Sequence, residues 1–182
     1  MSKLLNVSSS PHVRCGVSTK NLMYDVAIAM LPATIWGVMQ FGIYSLIVVV
    51  ATVLSCVLSE YLFETLMHKP VTISDGSALV TGMILGLNMP PAIPLWMPIL
   101  GGVFAIIVVK QLYGGLGQNW MNPALAARCF MLISFAQAMT KFTDPVTDAV
   151  ASATPLAAIK AGDTYDLAAM FIGKIPGTIG EV

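Results

Sequence analysis

Two carboxylates lie four residues apart inside an apolar stretch of this sequence. Glu60 and Glu64 occur in SCVLSEYLFETL, so in a helix they share one face. Two such carboxylates can coordinate a cation, or one of them can hold a proton because the charge of the other favours it. Alternatively, both side chains extend from a helix end to the lipid headgroups. We treat Glu60 and Glu64 as candidates for an ion path.

Three further charged residues lie in apolar surroundings. Asp25 comes one turn into the first apolar run, where it either joins the ion path or lies at the membrane interface. Lys110 and Arg128 can each pair with a carboxylate or an anionic ligand, or anchor a helix end. His12 and His68 lie outside the apolar runs and no cysteine spacing matches a zinc site, so we expect no bound metal.

The composition indicates a membrane protein. Apolar residues make up 57% of the chain and charged residues 10%. Soluble domains carry about 25% charged residues, so most of this surface is expected to face lipid. The formal net charge is zero, which gives no basic footprint for nucleic acid.

Four apolar runs predict a bundle of membrane-spanning helices. About 20 apolar residues cross a bilayer core, and runs of this kind occur at about 21–40, 43–63, 94–112 and 123–140. Lys3, Arg14 and Lys20 precede the first run, which places an arm of residues 1–20 in the cytoplasm. The bundle then covers residues 21–140, and residues 141–182 are expected on the outer side.

An interrupted segment separates the second and third runs. Gly76–Met89 is apolar but has only 14 residues, about 21 Å as a helix. Three prolines at positions 90, 91 and 94 prevent the helix from continuing. Such a broken or re-entrant helix is tolerated only inside protein or beside a polar cavity, and it often marks a binding site.

A second interruption precedes the fourth run. In the segment Tyr113–Ala124, glycines allow close approach of the backbone, and Asn122 and Pro123 are typical of the N-cap and first position of a helix. A helix start within the membrane would present free N–H groups to an anion. The alternative is an ordinary tight connection at the membrane surface.

Three stretches together resemble one known family. They are SDGSALVTGMILGLNMPP at 74–91, KQLYGGLGQNWMNPAL at 110–125 and DAVASATPL at 148–156. The sequence resembles the D subunit of the Rnf electron-transport complex and, less closely, the B subunit of the sodium-pumping NADH:quinone reductase. The resemblance implies an all-α membrane protein with a urea-transporter-like inverted-repeat fold. It also implies that this chain is one repeat, the N-terminal half of a longer protein.

The resemblance also implies a covalent flavin on the outer segment. In this family FMN is joined by a phosphoester to a threonine that follows an aspartate by six positions and ends a Ser/Thr-Gly-Ala-Thr pattern. Asp148, Ala153 and Thr154 match that pattern, whereas Ala151 and Ser152 stand where Ser/Thr and Gly are usual. Thr154 is therefore the predicted FMN phosphoester site, with Asp148, Ser152 and Ala153 in its attachment motif. Without the resemblance, this stretch predicts only a polar loop and a helix cap.

The implied function is that of a redox subunit without a complete active site of its own. Electrons from ferredoxin would pass to NAD through carriers that include this FMN, and Na⁺ or H⁺ would be pumped across the bacterial inner membrane. Arg128 is a further candidate for cofactor binding, and a second, non-covalent flavin (riboflavin) stays open. The expected partners are the other Rnf subunits, a flavin transferase and membrane lipid. The alternatives are a urea or solute channel and a structural scaffold. A channel is favoured by Asn-Pro-Ala at a helix start, at 122–124, and by the broken helix before it, although water channels usually have two such motifs and this sequence has one.

Overall fold

A computed structural model describes residues 16–143, 150–151, 160 and 167–181. Its elements are, in chain order, α1 (Thr19–Phe41), α2 (Ile43–Leu66), a 3₁₀ turn (Ile73–Asp75), α3 (Ser77–Leu87), α4 (Trp96–Phe104), a π-helix (Ala105–Gln111), α5 (Pro123–Ser134), α6 (Ala136–Met139), β1 (Phe142–Thr143), β2 (Val150–Ala151) and α7 (Leu167–Ile172). The predicted helical membrane fold is confirmed, apart from the short antiparallel pair of β1 and β2. The urea-transporter-like architecture stays a prediction.

Two long helices form the first layer of the bundle. α1 begins at an N-cap, where the Ser18 hydroxyl accepts from the backbone N–H of Asn21 at 3.4 Å. It ends at Gly42, whose φ of 82° lets the chain reverse at once into α2. Both helices are long and apolar enough to cross a membrane, which confirms the predicted runs at 21–40 and 43–63 within a few residues.

The short helix α3 lies against α2 at very close range. A Cβ added at Gly82 would lie 2.6 Å from Cα of Val53, and one at Gly86 would lie 3.0 Å from Cα of Val49. Glycines four residues apart allow such backbone contact between membrane helices. α3 is therefore buried along most of its length, as the interrupted apolar segment predicts.

Non-helical chain after α3 is enclosed by protein. The Tyr44 hydroxyl donates to the Ile93 carbonyl at 2.9 Å. Backbone N–H groups of Ile179 and Gly180 donate to the carbonyls of Met89 and Leu87 at 3.1 and 2.8 Å. These contacts satisfy backbone groups that lipid cannot satisfy. The same contacts bring part of the predicted outer segment 141–182 onto the bundle. The predicted boundaries of the three regions, at residues 20 and 140, stay predictions.

The other two predicted spans are shorter than expected. The run at 94–112 forms α4 and the π-helix, which together cover Trp96–Gln111. The run at 123–140 divides because Phe135 leaves helical geometry at φ −133° and ψ 46°. There its ring meets Trp96 edge-on, with centroids 5.2 Å apart. Only α1 and α2, among the described residues, reach the length of a full crossing.

Candidate functional site

A cluster of charged and polar side chains is buried between α2, α3 and the π-helix. Glu60 is 0% exposed, Lys110 1%, Glu64 2% and Gln111 3%. The Lys110 ammonium donates to Glu60 Oε1 at 2.5 Å and to the Ser77 hydroxyl at 2.6 Å. Burial of both predicted carboxylates excludes the alternative in which they extend to the headgroups. We call these five residues, Glu60, Glu64, Ser77, Lys110 and Gln111, the carboxylate cluster.

Gln111 links the two carboxylates. Its amide nitrogen donates to Glu60 Oε1 at 2.8 Å and to Glu64 Oε1 at 3.3 Å. Thr72 also holds Glu64, since its backbone N–H donates to Glu64 Oε2 at 3.0 Å and its hydroxyl donates to Oε1. Glu64 therefore has partners on both oxygens.

Glu60 has an oxygen without a partner. Its Oε2 is buried and lacks a hydrogen bond, a condition shared among the described residues only by Ser45 Oγ and Asn119 Oδ1. A buried carboxylate oxygen without a donor is costly. This oxygen is therefore available to a cation or a proton.

Local structure places these side chains together. The helical spacing of Glu60 and Glu64 on α2 puts both on one face. The π-helix brings Lys110 and Gln111, which are neighbours in sequence, to the same carboxylate oxygen. π-Helical turns are rare and frequently occur at functional sites.

The start of α3 completes the cluster. The Ser77 N–H and hydroxyl both donate to Asp75 Oδ1, at 2.8 and 2.6 Å. The Ser77 oxygen thus accepts from Lys110 while its hydrogen is given to Asp75. Sequence reasoning missed Asp75, Ser77, Gln111 and Thr72. The stretch Ser74-Asp75-Gly76-Ser77 before an apolar run was the available signal, because it is typical of a helix start.

A cavity of about 370 Å³ adjoins the cluster. Lys110, Ser77 at the start of α3, and Asn122 and Pro123 at the start of α5 contribute to its lining, as does Asn119. The Asn122 side chain accepts from the Ala124 N–H at 3.0 Å, which confirms the predicted N-cap. Two helix starts and one lysine thus meet at this cavity. We call it the Lys110 cavity.

Arg128 lies elsewhere, near the other end of α3. Its guanidinium donates to the Asn88 side-chain oxygen at 2.5 Å. It lines a second cavity of about 350 Å³ together with Asn88, Thr178 and Glu181, among others. We call this the Arg128 cavity. Arg128 is therefore not brought to the carboxylate cluster.

Asp25 belongs to neither arrangement. Asp25 is exposed on α1, so its place on an ion path stays a prediction. Thr154, Asp148, Ser152 and Ala153 fall outside the described residues, and the FMN site with them stays a prediction. Among the described residues, no three His, Cys, Asp or Glu side chains are grouped so that they could hold a metal ion.

The comparisons with known proteins agree on one family. The model of the NQR2, RnfD, RnfE family matches residues 6–182. The chain is 46% identical over 184 residues to the D subunit of the Na⁺-translocating ferredoxin:NAD⁺ oxidoreductase complex of Acetobacterium woodii, covering 98% of this chain and 58% of that protein. It is 40% identical over 192 residues to the D subunit of the proton-translocating ferredoxin:NAD⁺ oxidoreductase complex of Clostridium ljungdahlii, with the same coverage of 98% and 58%.

A more distant relative is the D subunit of the ion-translocating oxidoreductase complex of Shewanella denitrificans. It is 40% identical over 157 residues, which are 85% of this chain and 45% of that protein. The chain thus spans about half of the length of these relatives. The resemblance drawn from the three sequence stretches is confirmed, and the chain belongs to the NQR2, RnfD, RnfE family.

Proposed function

We propose that this chain forms part of the D subunit of an ion-translocating ferredoxin:NAD⁺ oxidoreductase complex. Its role there is to relay electrons through bound flavin and to contribute to the path of the translocated Na⁺ or H⁺. The observation that carries the ion-path part is the buried pair of Glu60 and Glu64 beside Lys110. Relatives named for Na⁺ and for protons are both similar to this chain, so the proposal covers either ion.

The carboxylate cluster is costly for a membrane helix. Taking two charges out of water carries a penalty of several kcal/mol per ion that their attraction often only just offsets. Well-packed apolar residues would serve stability at least as well. Ionisable groups in such positions generally mark ion or proton pathways. Glu60 and Glu64 are therefore the proposed ion-path residues, with Asp25 as a further candidate.

Covalent FMN on Thr154 is the proposed electron carrier. The isoalloxazine ring would supply one- and two-electron transfer, and the protein would position it. Asp148, Ser152 and Ala153 form its proposed attachment motif. Arg128 is the candidate partner for a flavin phosphate, because its guanidinium contacts only a neutral side-chain oxygen among the hydrogen bonds of the described residues.

The Lys110 cavity is the proposed site of a second, non-covalent flavin such as riboflavin. The buried Asn119 Oδ1 lacks a donor, and such an atom can accept from the N–H of a flavin ring or a ribityl hydroxyl. The helix start at Asn122 supplies partial positive potential to the same cavity. These residues would bind the carrier and orient it.

The proposal places the chain in the bacterial inner membrane, with several crossings and its N-terminus in the cytoplasm. Its proposed partners are the other subunits of the complex, a flavin transferase and membrane lipid. A urea or solute channel is not proposed, since the three relatives are named as parts of oxidoreductase complexes.

The electron-relay part is tested by covalent flavin fluorescence. The complex is expressed together with the flavin transferase, denatured and separated on a gel viewed under ultraviolet light. We expect a fluorescent band that Thr154→Ala abolishes and that Thr164→Ala, at a threonine outside the attachment motif, retains. A band that persists in Thr154→Ala would place the flavin elsewhere.

The ion-path part is tested separately in liposomes. We expect Glu60→Gln to lower ion pumping more than electron transfer, whereas Lys174→Gln, at an exposed lysine, leaves the ratio of the two unchanged. Equal losses of both activities in Glu60→Gln would contradict an ion-path role.

A further inference from the structure

We infer that Lys110 is a tethered counter-ion, which neutralises Glu60 in the absence of a bound cation and is displaced to Ser77 and Asp75 when a monovalent cation binds Glu60. This inference rests on the proposed ion path through the carboxylate cluster. It adds that the Lys110 ammonium competes with the cation for the Glu60 carboxylate.

The charges around the site are unbalanced. Glu60 and Glu64 approach from α2 and Asp75 from the 3₁₀ turn, whereas Lys110 is the one cationic group in the described hydrogen-bond network around them. With all four ionised, the cluster carries more negative than positive charge. A monovalent cation of small size would reduce that imbalance, and the unpartnered Glu60 Oε2 provides an oxygen for it.

Lys110 has a second position available without leaving the network. Its ammonium already contacts the Ser77 oxygen at 2.6 Å, and Ser77 is bonded to the Asp75 carboxylate. Releasing Glu60 would therefore leave the ammonium next to an acceptor and close to a carboxylate.

The ligand would be Na⁺ or a proton, both of which bind carboxylate oxygen. Hard cations take oxygen ligands, and Glu60 Oε2 and Glu64 with the Gln111 side-chain oxygen after rotation of its amide could supply several. A proton would need only Glu60 Oε2. In both cases the cation and the Lys110 ammonium compete for the same negative charge.

The test measures cation binding to the intact purified complex by ²²Na⁺ equilibrium binding at fixed pH. Lys110→Met removes the competing charge with little change in side-chain shape. We expect the apparent Kd for Na⁺ to fall by about tenfold or more, because unit charges a few Å apart interact strongly away from water. Lys174→Met, at an exposed lysine, is the matched control and should leave Kd unchanged.

A second variant moves the equilibrium the opposite way. Ser77→Ala removes the alternative partner of Lys110 and should hold the ammonium on Glu60, which raises Kd several-fold. Opposite changes in Lys110→Met and Ser77→Ala support competition. A change in the same direction, or no change in Lys110→Met, would overturn it. If Lys110→Met does not assemble, Lys110→Arg retains the charge with a stronger carboxylate partner and should raise Kd.

A proton is distinguished by the same set of variants. Where wild type shows no ²²Na⁺ binding, infrared spectroscopy of the carboxyl band follows protonation of Glu60, assigned by its loss in Glu60→Gln. We then expect the band to appear at higher pH in Lys110→Met and at lower pH in Ser77→Ala; identical titrations in all variants would reject the counter-ion. If Glu60→Gln changes neither Na⁺ binding nor the band, the proposed ion path itself fails and the inference falls with it.

Discussion

Two basic residues from other helices, Lys110 and Arg128, lie near opposite ends of α3 in contrasting surroundings. Near its start, Lys110 is 1% exposed and forms an ion pair with Glu60 at 2.5 Å. Near its end, about 16 Å away for an 11-residue helix, Arg128 is partly exposed and contacts the uncharged side chain of Asn88. One cation is neutralised inside protein, and the other faces a cavity with its charge uncompensated by any ion pair in the described part of the chain.

This contrast separates two uses of positive charge. A buried lysine paired with a carboxylate can change partner within the protein, so it suits a role in which an internal charge moves. A partly exposed guanidinium that makes no ion pair among the described residues suits recognition of an anion such as a phosphate, which it can bind through two parallel hydrogen bonds. Lys110 therefore suits the proposed ion path, and Arg128 suits the proposed flavin phosphate.

The largest expected effect on stability comes from removing one partner of the buried Lys110–Glu60 ion pair. Lys110→Met leaves Glu60 buried without its counter-ion, which typically costs about 3–5 kcal/mol of stability. The double variant Lys110→Met with Glu60→Leu removes both charges and should recover part of that loss. The measurement is thermal unfolding of the purified complex followed by fluorescence. A double variant less stable than Lys110→Met would show that the pair is not the source of the loss.

The helices that the sequence predicts well are those marked by an uninterrupted apolar run of clear length. The predicted runs at 21–40 and 43–63 and the segment Gly76–Met89 lie close to the observed helices because uninterrupted hydrophobicity and the following prolines mark them directly. The apolar run at 94–112 predicts one continuous helical span. In the structure its second half is a π-helix, so α4 is shorter than the predicted span. At the break, Phe135 contacts Trp96, which lies far away in sequence, so the apolar run alone does not reveal the arrangement.

The carboxylate cluster was predictable only in part. The shared face of Glu60 and Glu64 follows from helical spacing within one element. Their partner Gln111 lies about 50 residues away, and its position beside Lys110 depends on the π-helix. A periodicity of 3.6 residues cannot predict that arrangement, since a π-helix follows a different period.

A smaller effect is expected at the other end of α3. Arg128→Gln removes a hydrogen bond to Asn88 at a partly exposed position, so we expect a loss of about 1 kcal/mol in the free energy of unfolding. Arg128→Lys retains the charge but not the planar fork and serves as the control for anion binding. If Arg128 contacts a flavin phosphate, covalent flavin fluorescence should fall more in Arg128→Gln than in Arg128→Lys. A stability loss as large as that of Lys110→Met would remove the contrast between the two ends.

The smallest effect on stability is expected at Asp25, which belongs to neither end. Its side chain is exposed on α1, and surface substitutions of this kind usually change stability by no more than about 0.5 kcal/mol. Asp25→Asn should therefore unfold at the same temperature as wild type, so that a change in transport cannot be attributed to misfolding. Ion pumping in liposomes then decides its role. Reduced pumping with normal electron transfer would extend the ion path from the carboxylate cluster to α1, whereas unchanged pumping would confine that path to Glu60 and Glu64.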